Sequence, residues 1–399
     1  MAHRRLTSPA VSAGLVALIY LLARSLTTLF FWFAAELSGP NSRFGADATV
    51  GSLAMGWDSQ WYWLIAASGY PTELPLSESG QVAENAWAFM PVYPTLSQAL
   101  GALLGGYPAA AITVSLVAGY LAALTLFHLL RPRVGAGAAL WAVAFFANGP
   151  LAALFQMGYA ESLVLLWLLL ALWALTRRSF GWLYVLVPLM GYTRPGVLAF
   201  ALLLGLYGIA RWFGRSRDPL PRRQIIHIVA LGALATVVGF SWQVIAGVVT
   251  GDPSAYLETE LAWRRSWVGE EEGFVPFGGF VTAAGMWFGL WGLPEVLGYL
   301  CLGALVAGAA AALLWSRRVR LQGMEIRLWA ASYLVYLLAV FFPQSSVFRL
   351  LLPLTPMVGA FAAPRSRWWR FGVLAACLLG QWWWIHEMLA LGDTYFRIP

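Results

Sequence analysis

The sequence predicts an all-α polytopic membrane protein, and three observations carry that prediction. Of the 399 residues 60% are hydrophobic and only 11% charged, against about 25% charged in an ordinary soluble domain. Mean hydropathy is +0.70, and apolar runs near the roughly 20 residues that span a bilayer recur along the chain. Unpaired backbone polar groups are not tolerated in lipid, which restricts spans to helices or closed barrels. The alternating segments of about ten residues that mark a barrel are absent.

Charge sharpens the class. The net charge of +7 is carried by arginine alone, because the 25 basic residues include no lysine. These arginines stand in short runs between apolar segments, as cytoplasmic loop bias and anionic headgroups require, so nucleic acid is excluded as a partner. A lysine-free composition suggests GC-rich coding and hence a bacterial source. Cys301 and Cys377 lie apart inside apolar runs, and His3, His128, His227 and His386 are scattered. Neither a disulfide framework nor a metal site is expected.

Taken in order, the first apolar run covers about 11–33 behind His3-Arg4-Arg5. That exceeds the roughly 7–15 residues of a cleaved signal's core, which makes it a retained span. Further spans are expected at about 108–130, 137–154, 158–176, 225–249, 295–316, 325–342, 348–363 and 369–389. The stretch 181–210 lies between two arginine clusters and reads as two half-spans meeting at Gly191-Tyr192-Thr193-Arg194-Pro195-Gly196, where proline and glycine break the helix. The result is one integral domain, 1–399, with about 11 transmembrane helices, its N-terminus inside and its C-terminus outside a plasma membrane. This topology puts 18 of the 25 arginines inside and leaves 16 of the 18 acids outside or near outer span ends. Two external loops are long, 34–107 and 250–294. The first must be structured: 59–67 reads as a short interfacial helix and 91–104 as a second, interfacial or re-entrant.

Polar groups of the outer face form the candidate chemistry: Asp58, Glu84, Glu161, Arg194, Arg264, Arg265, Gln344, Arg349 and His386-Glu387. Asp58 sits in Gly56-Trp57-Asp58-Ser59-Gln60-Trp61-Tyr62-Trp63 and has two readings, a helix cap and a site carboxylate. Trp57, Trp61 and Tyr62 are interfacial anchors or a sugar platform. Glu161 begins a span, where an acid suits the helix dipole. Arg194 stands at a helix break deep in apolar sequence, which is costly unless it meets a cavity, an anion or an acid. Arg349 follows Pro343-Gln344-Ser345-Ser346 at a span mouth, and snorkelling is its alternative. Arg24, inside the first span, is a partner for an acid or a snorkelling residue.

Trp57-Asp58-x3-Tyr62-x2-Ile65-Ala66-x2-Gly69-Tyr70, followed by Ala88-Phe89-Met90-Pro91-Val92-Tyr93-Pro94, resembles the first-loop signature of the PIG-V-type mannosyltransferases. The resemblance continues in Gly158-Tyr159-Ala160-Glu161-Ser162-Leu163, in Thr193-Arg194-Pro195-Gly196-Val197 and in Phe348-Arg349-Leu350-Leu351-Leu352-Pro353-Leu354-Thr355-Pro356. It implies a GT-C glycosyltransferase fold, and transfer of mannose from a polyprenyl-phosphate donor to a lipid-linked or glycan acceptor on the extracytoplasmic face, with inversion. Under it Asp58 is the catalytic carboxylate, and Glu161 either assists it or pairs with Arg194. Arg194, Arg349, Arg264 and Arg265 are candidates for the donor phosphate, and Trp57, Trp61, Tyr62, Gln344 and His386 for sugar or acceptor. The scheme requires no cofactor and no metal. Alternatives are another polyprenyl-phosphate sugar (arabinose, glucose, galactose) and a lipid or small-solute transporter, which would put polar groups at mid-span and show repeat symmetry.

Overall fold

The structure is a computed structural model and describes residues 9–268 and 273–392. The acidic run Glu270-Glu271-Glu272 and the first arginine pair lie outside the described residues. Within them the chain is helical, with no strand and one isolated antiparallel bridge between Leu76 and Val82.

In chain order the helices are α1 (Pro9–Leu37), α2 (Val50–Ala54), α3 (Asp58–Ser68), α4 (Val92–Leu104), α5 (Tyr107–Val134), α6 (Ala136–Ala147), α7 (Glu161–Thr176), α8 (Phe180–Gly191), α9 (Val197–Phe213), α10 (Arg222–Thr250), α11 (Ala255–Val268), α12 (Gly278–Leu290), α13 (Glu295–Trp315), α14 (Arg317–Arg320), α15 (Met324–Val340), α16 (Val358–Ala362) and α17 (Arg367–Ile385). Among the described residues five segments are long and apolar enough to cross a membrane: 11–37, 107–134, 222–250, 295–315 and 345–362. Five shorter apolar helices accompany them.

Small residues let the bundle close. Along α5, Ala111, Ser115, Ala118 and Ala122 fall on one stripe at helical spacing and are all buried, and α7 packs most extensively against this helix. A side chain at Gly119 would collide with the Tyr20 hydroxyl of α1. Close backbone approach of this kind is how apolar helices associate where lipid competes for apolar contact.

Several expectations are corrected here. The span expected at 137–154 is α6, ending at Ala147, and then a 3-10 turn over Ala152–Gln156. The span expected at 348–363 is present as the apolar segment 345–362, but it is built as a 3-10 stretch, Ser345–Met357, running into α16, because Pro353 and Pro356 deny it α-helical hydrogen bonds. The 250–294 loop contains the apolar helix α12, paired with α13, and its 13 residues fell below the length that marks a span. The break in 181–210 is present: α8 ends at Gly191, α9 starts at Val197, and Gly196 has φ +130°.

Arg24 is neither a partner for an acid nor a snorkelling residue. It is buried and donates to the Ala147 and Ala152 carbonyls, with its guanidinium near the Tyr20 and Phe155 rings. These are carbonyls at the end of α6 and in the 3-10 turn beyond it, so the cation caps a helix C-terminus and fixes the segment leading to Glu161. Charge-assisted hydrogen bonds contribute about 1.5–3 kcal/mol each. Arg24→Met is therefore expected to cost about 2–4 kcal/mol net of the relieved desolvation, read as a lowered melting temperature in detergent.

The two acids placed with the arginine runs pair with them, Asp218 with Arg178 and Arg211, and Glu325 with Arg133. Helix α7 runs from Glu161 to Thr176, next to Arg177 and Arg178, so Glu161 lies at the bundle end opposite these arginines.

Candidate active site

Four segments distant in sequence converge on one charged cluster. The Gly158 N–H donates to the Ala54 carbonyl at 2.9 Å, docking the 157–160 turn on the end of α2, just ahead of α3. A Cβ at Gly158 would come within 3.0 Å of the Met55 sulfur and the Ser59 hydroxyl, which is why this position is glycine. Ser115 of α5 donates to the Tyr159 carbonyl at 3.0 Å. The Val92 N–H at the head of α4 donates to the Tyr192 carbonyl at 2.9 Å, tying the helix break to the first loop. Tyr333 and Trp329 of α15 donate to the Leu350 and Pro353 carbonyls, both at 2.7 Å, and so hold the 3-10 stretch that carries Arg349.

Within this frame the Arg349 guanidinium donates to Asp58 Oδ2 at 2.6 Å, and its Nε lies 3.5 Å from Glu161 Oε1. Arg194, from the helix break, donates to the same Glu161 Oε1. The Arg349 guanidinium also stands 5.6 Å from the centre of the Tyr159 ring. Two carboxylates and two guanidinia thus form one chain of ion pairs, Asp58–Arg349–Glu161–Arg194. The other oxygen of Glu161 is buried with no hydrogen-bond partner.

Asp58 is not a cap. Trp57 occupies the cap position, with no side-chain cap bond, and Asp58 opens the first turn with its own N–H directed to the Tyr159 hydroxyl at 3.3 Å. Trp57 has φ +54°, a conformation costing on the order of 1–3 kcal/mol that persists where surroundings impose it. Its indole N–H donates to the Met388 carbonyl at 3.1 Å, and Arg43 stands 5.0 Å from its ring. The strained residue thus stands immediately before the carboxylate, with its ring held from two sides.

Other candidates are redistributed. Tyr62 is 2% exposed, its ring set edge-on against both Phe89 and Tyr93. Burial holds its hydroxyl far above the usual phenol range, with the nearby arginines opposing and the carboxylates reinforcing that shift. Trp61, its neighbour on α3, keeps a half-buried ring stacked on Phe89 and edge-on to Trp263. Arg265 is spent on Glu258 and the Val82 carbonyl, and Arg264 lies over the Phe342 ring. Gln344 donates to the Trp263 carbonyl at 2.9 Å. His386 is engaged with Glu387 at 3.0 Å, in a π-helical turn ending at Leu391. Glu84 is exposed on the first loop. Among the described residues no group of three His, Cys, Asp or Glu side chains has the arrangement of a metal site.

One residue was not singled out from sequence. Glu260 of α11 lies in the field of Arg194, and burial pushes its carboxyl from 4.5 up to about 7, against the pull of the Tyr256 hydroxyl and of Arg194. Helix α11 is clamped there by Asn85, which donates to Thr259 at 2.8 Å. The native state therefore binds more protons than the unfolded chain between pH 4.5 and about 7. Stability from this group is complete below that window and falls as pH rises through it. Melting temperature is expected to drop between pH 5 and 8, and the drop to shrink in Glu260→Gln.

No protein-family model matches the sequence, and no curated protein does. Among solved structures the chain is similar to ArnT from Cupriavidus metallidurans bound to undecaprenyl phosphate, at 16% identity over 93% of this chain and 64% of that one, with a TM-score of 0.47. It is also similar to the Archaeoglobus fulgidus oligosaccharyltransferase in complex with zinc and sulfate, at 14% identity over 94% of this chain and 52% of that one, with a TM-score of 0.43. The chain spans between about half and two thirds of the length of these proteins.

Proposed function

We propose that the chain is an inverting GT-C-type glycosyltransferase that moves a sugar, mannose in the reading that the PIG-V-like motifs favour, from a polyprenyl-phosphate donor to a lipid-linked or glycan hydroxyl. The observation that carries this is the Asp58–Arg349–Glu161–Arg194 cluster, at the bundle end away from the paired arginine runs. An acceptor oxygen attacks the anomeric carbon as the bond to the phosphate oxygen breaks, and the acceptor proton passes to Asp58. A positioned carboxylate contributes about 10² to 10⁴ in rate in such a role. The departing phosphate leaves without protonation but gains a charge. Arg349 and Arg194 are the groups that meet it, through charge-assisted bonds formed as the charge develops. The positive-inside bias supports an extracytoplasmic position for this end.

The test uses the purified full chain in nanodiscs, offered polyprenyl-phosphate mannose, glucose, galactose and arabinose with lipid acceptors, and mass spectrometry of the products. Transfer of mannose, persisting in excess EDTA, is expected. Transfer of another of these sugars overturns the donor assignment alone. Loss in EDTA restored by Mn²⁺ or Mg²⁺ overturns the metal-free scheme, and no transfer from any of the donors overturns the function.

A further inference from the structure

The charge cluster has no net charge to offer an anion. Arg349 and Arg194 are already matched by Asp58 and Glu161 within hydrogen-bonding or ion-pair distance. A phosphate that enters as a third anion meets guanidinia whose donors point at carboxylates. Binding through these arginines requires that one carboxylate give way.

The geometry selects which one. Glu161 is 4% exposed, rooted at the first turn of a long buried helix and gripped by both arginines. Asp58 is 14% exposed, opens the short helix α3 and is gripped by Arg349 alone. Arg349 meets Asp58 through its terminal guanidinium nitrogen at 2.6 Å and Glu161 through Nε at 3.5 Å, so turning the fork from Asp58 toward an anion leaves its contact with Glu161 in place. The groups facing Asp58 are Arg349 on the 3-10 stretch, Tyr159 and Glu161 at the head of α7, Arg194 at the helix break and Tyr62 on its own helix. None of these offers Asp58 a second hydrogen-bonded cation.

Resting on the glycosyltransferase reading above, we propose that the phosphate of the prenyl-phosphate ligand and Asp58 compete for Arg349. The ion pair in the empty site is a latch: donor phosphate takes the guanidinium, and Asp58 is released with both oxygens free to receive the acceptor's proton. The carboxylate is thereby made available only when a leaving group is in place, which imposes an order of donor first and acceptor second. It also guards the anomeric carbon's eventual nucleophile from unproductive activation. The exchange moves no covalent bond and needs no co-reactant. Its cost is the Asp58–Arg349 contact, and its gain is a charge-assisted bond of the same kind to phosphate.

The consequence is counter-intuitive: removing the base should improve binding of the ligand it works on. Binding of farnesyl phosphate, a short prenyl monophosphate, is measured by calorimetry or thermal shift on the full chain in detergent. Inorganic phosphate and farnesol serve as separate probes of headgroup and chain. Asp58→Asn is expected to bind farnesyl phosphate at least about tenfold tighter than the wild type, since a like-charged competitor has been removed, with farnesol binding unchanged. Asp58→Ser, which also suits the first turn of a helix, gives the same reading if the asparagine variant does not fold. Equal or weaker farnesyl phosphate binding by the neutral variants, with the wild type still binding, overturns the exchange and leaves the glycosyltransferase reading standing. An equal gain for farnesol also overturns it, because the effect then lies in the apolar groove. No prenyl-phosphate binding by the wild type overturns both. A gain for inorganic phosphate alongside farnesyl phosphate supports the exchange and shows that the headgroup is what competes.

Discussion

Asp58→Asn is expected to reduce sugar transfer by about 10² to 10⁴-fold, the contribution of a positioned general base, while the protein remains folded. Asparagine matches aspartate in size and its amide oxygen can still accept from Arg349, so the 2.6 Å contact has a neutral successor. What disappears is the proton acceptor. Removing one member of a buried ion pair costs about 3–5 kcal/mol when the other is stranded. Arg349 is not stranded, because Glu161 stands 3.5 Å from its Nε, and the stability loss should fall below that range. The measurement is kcat with donor saturating, beside a melting curve. Full turnover in Asp58→Asn would remove Asp58 from the reaction, whereas loss of turnover together with collapse of the melting transition would make it a structural residue.

The sequence made the class, the first-loop helices and the helix break legible, each for a local reason. Length and apolarity announce spans, and Pro195 with Gly191 and Gly196 announces the interruption that delivers Arg194. Asp58 and Arg349 could be nominated singly, as charges at span mouths. Their pairing could not, because they are 291 residues apart and meet only through packing of the first loop, α7 and α15. Glu260 was invisible for a different reason: Glu258 and Glu260 share one polar helix, and only the fold decides that the first bridges Arg265 while the second turns toward Arg194. Arg24 was misread because sequence shows whether an acid is available but not whether broken helices leave carbonyls to be capped. Helix α12 escaped because 13 residues carry too little apolar length to stand out.

Glu161→Gln is expected to be the most destabilising conservative change in the site, and its behaviour separates two roles for this residue. One carboxylate oxygen receives both Arg194 and Arg349, and the side chain is 4% exposed. Neutralising it leaves two enclosed guanidinia sharing the single charge of Asp58, a loss of about 3–5 kcal/mol by the measure of a broken buried pair. Donor affinity should fall with it, because the arginines lose the anchor that aims them. The double variant Glu161→Gln/Arg194→Met decides the matter. Replacing a buried ion pair as a whole by neutral groups of similar volume is often neutral or stabilising, so melting temperature should recover toward wild type. Transfer should not recover, since one of the two cations that meet the leaving phosphate is gone. A Glu161 that instead shared the proton work would give the opposite pattern in the single variant: turnover reduced at an unchanged melting temperature, with donor binding intact.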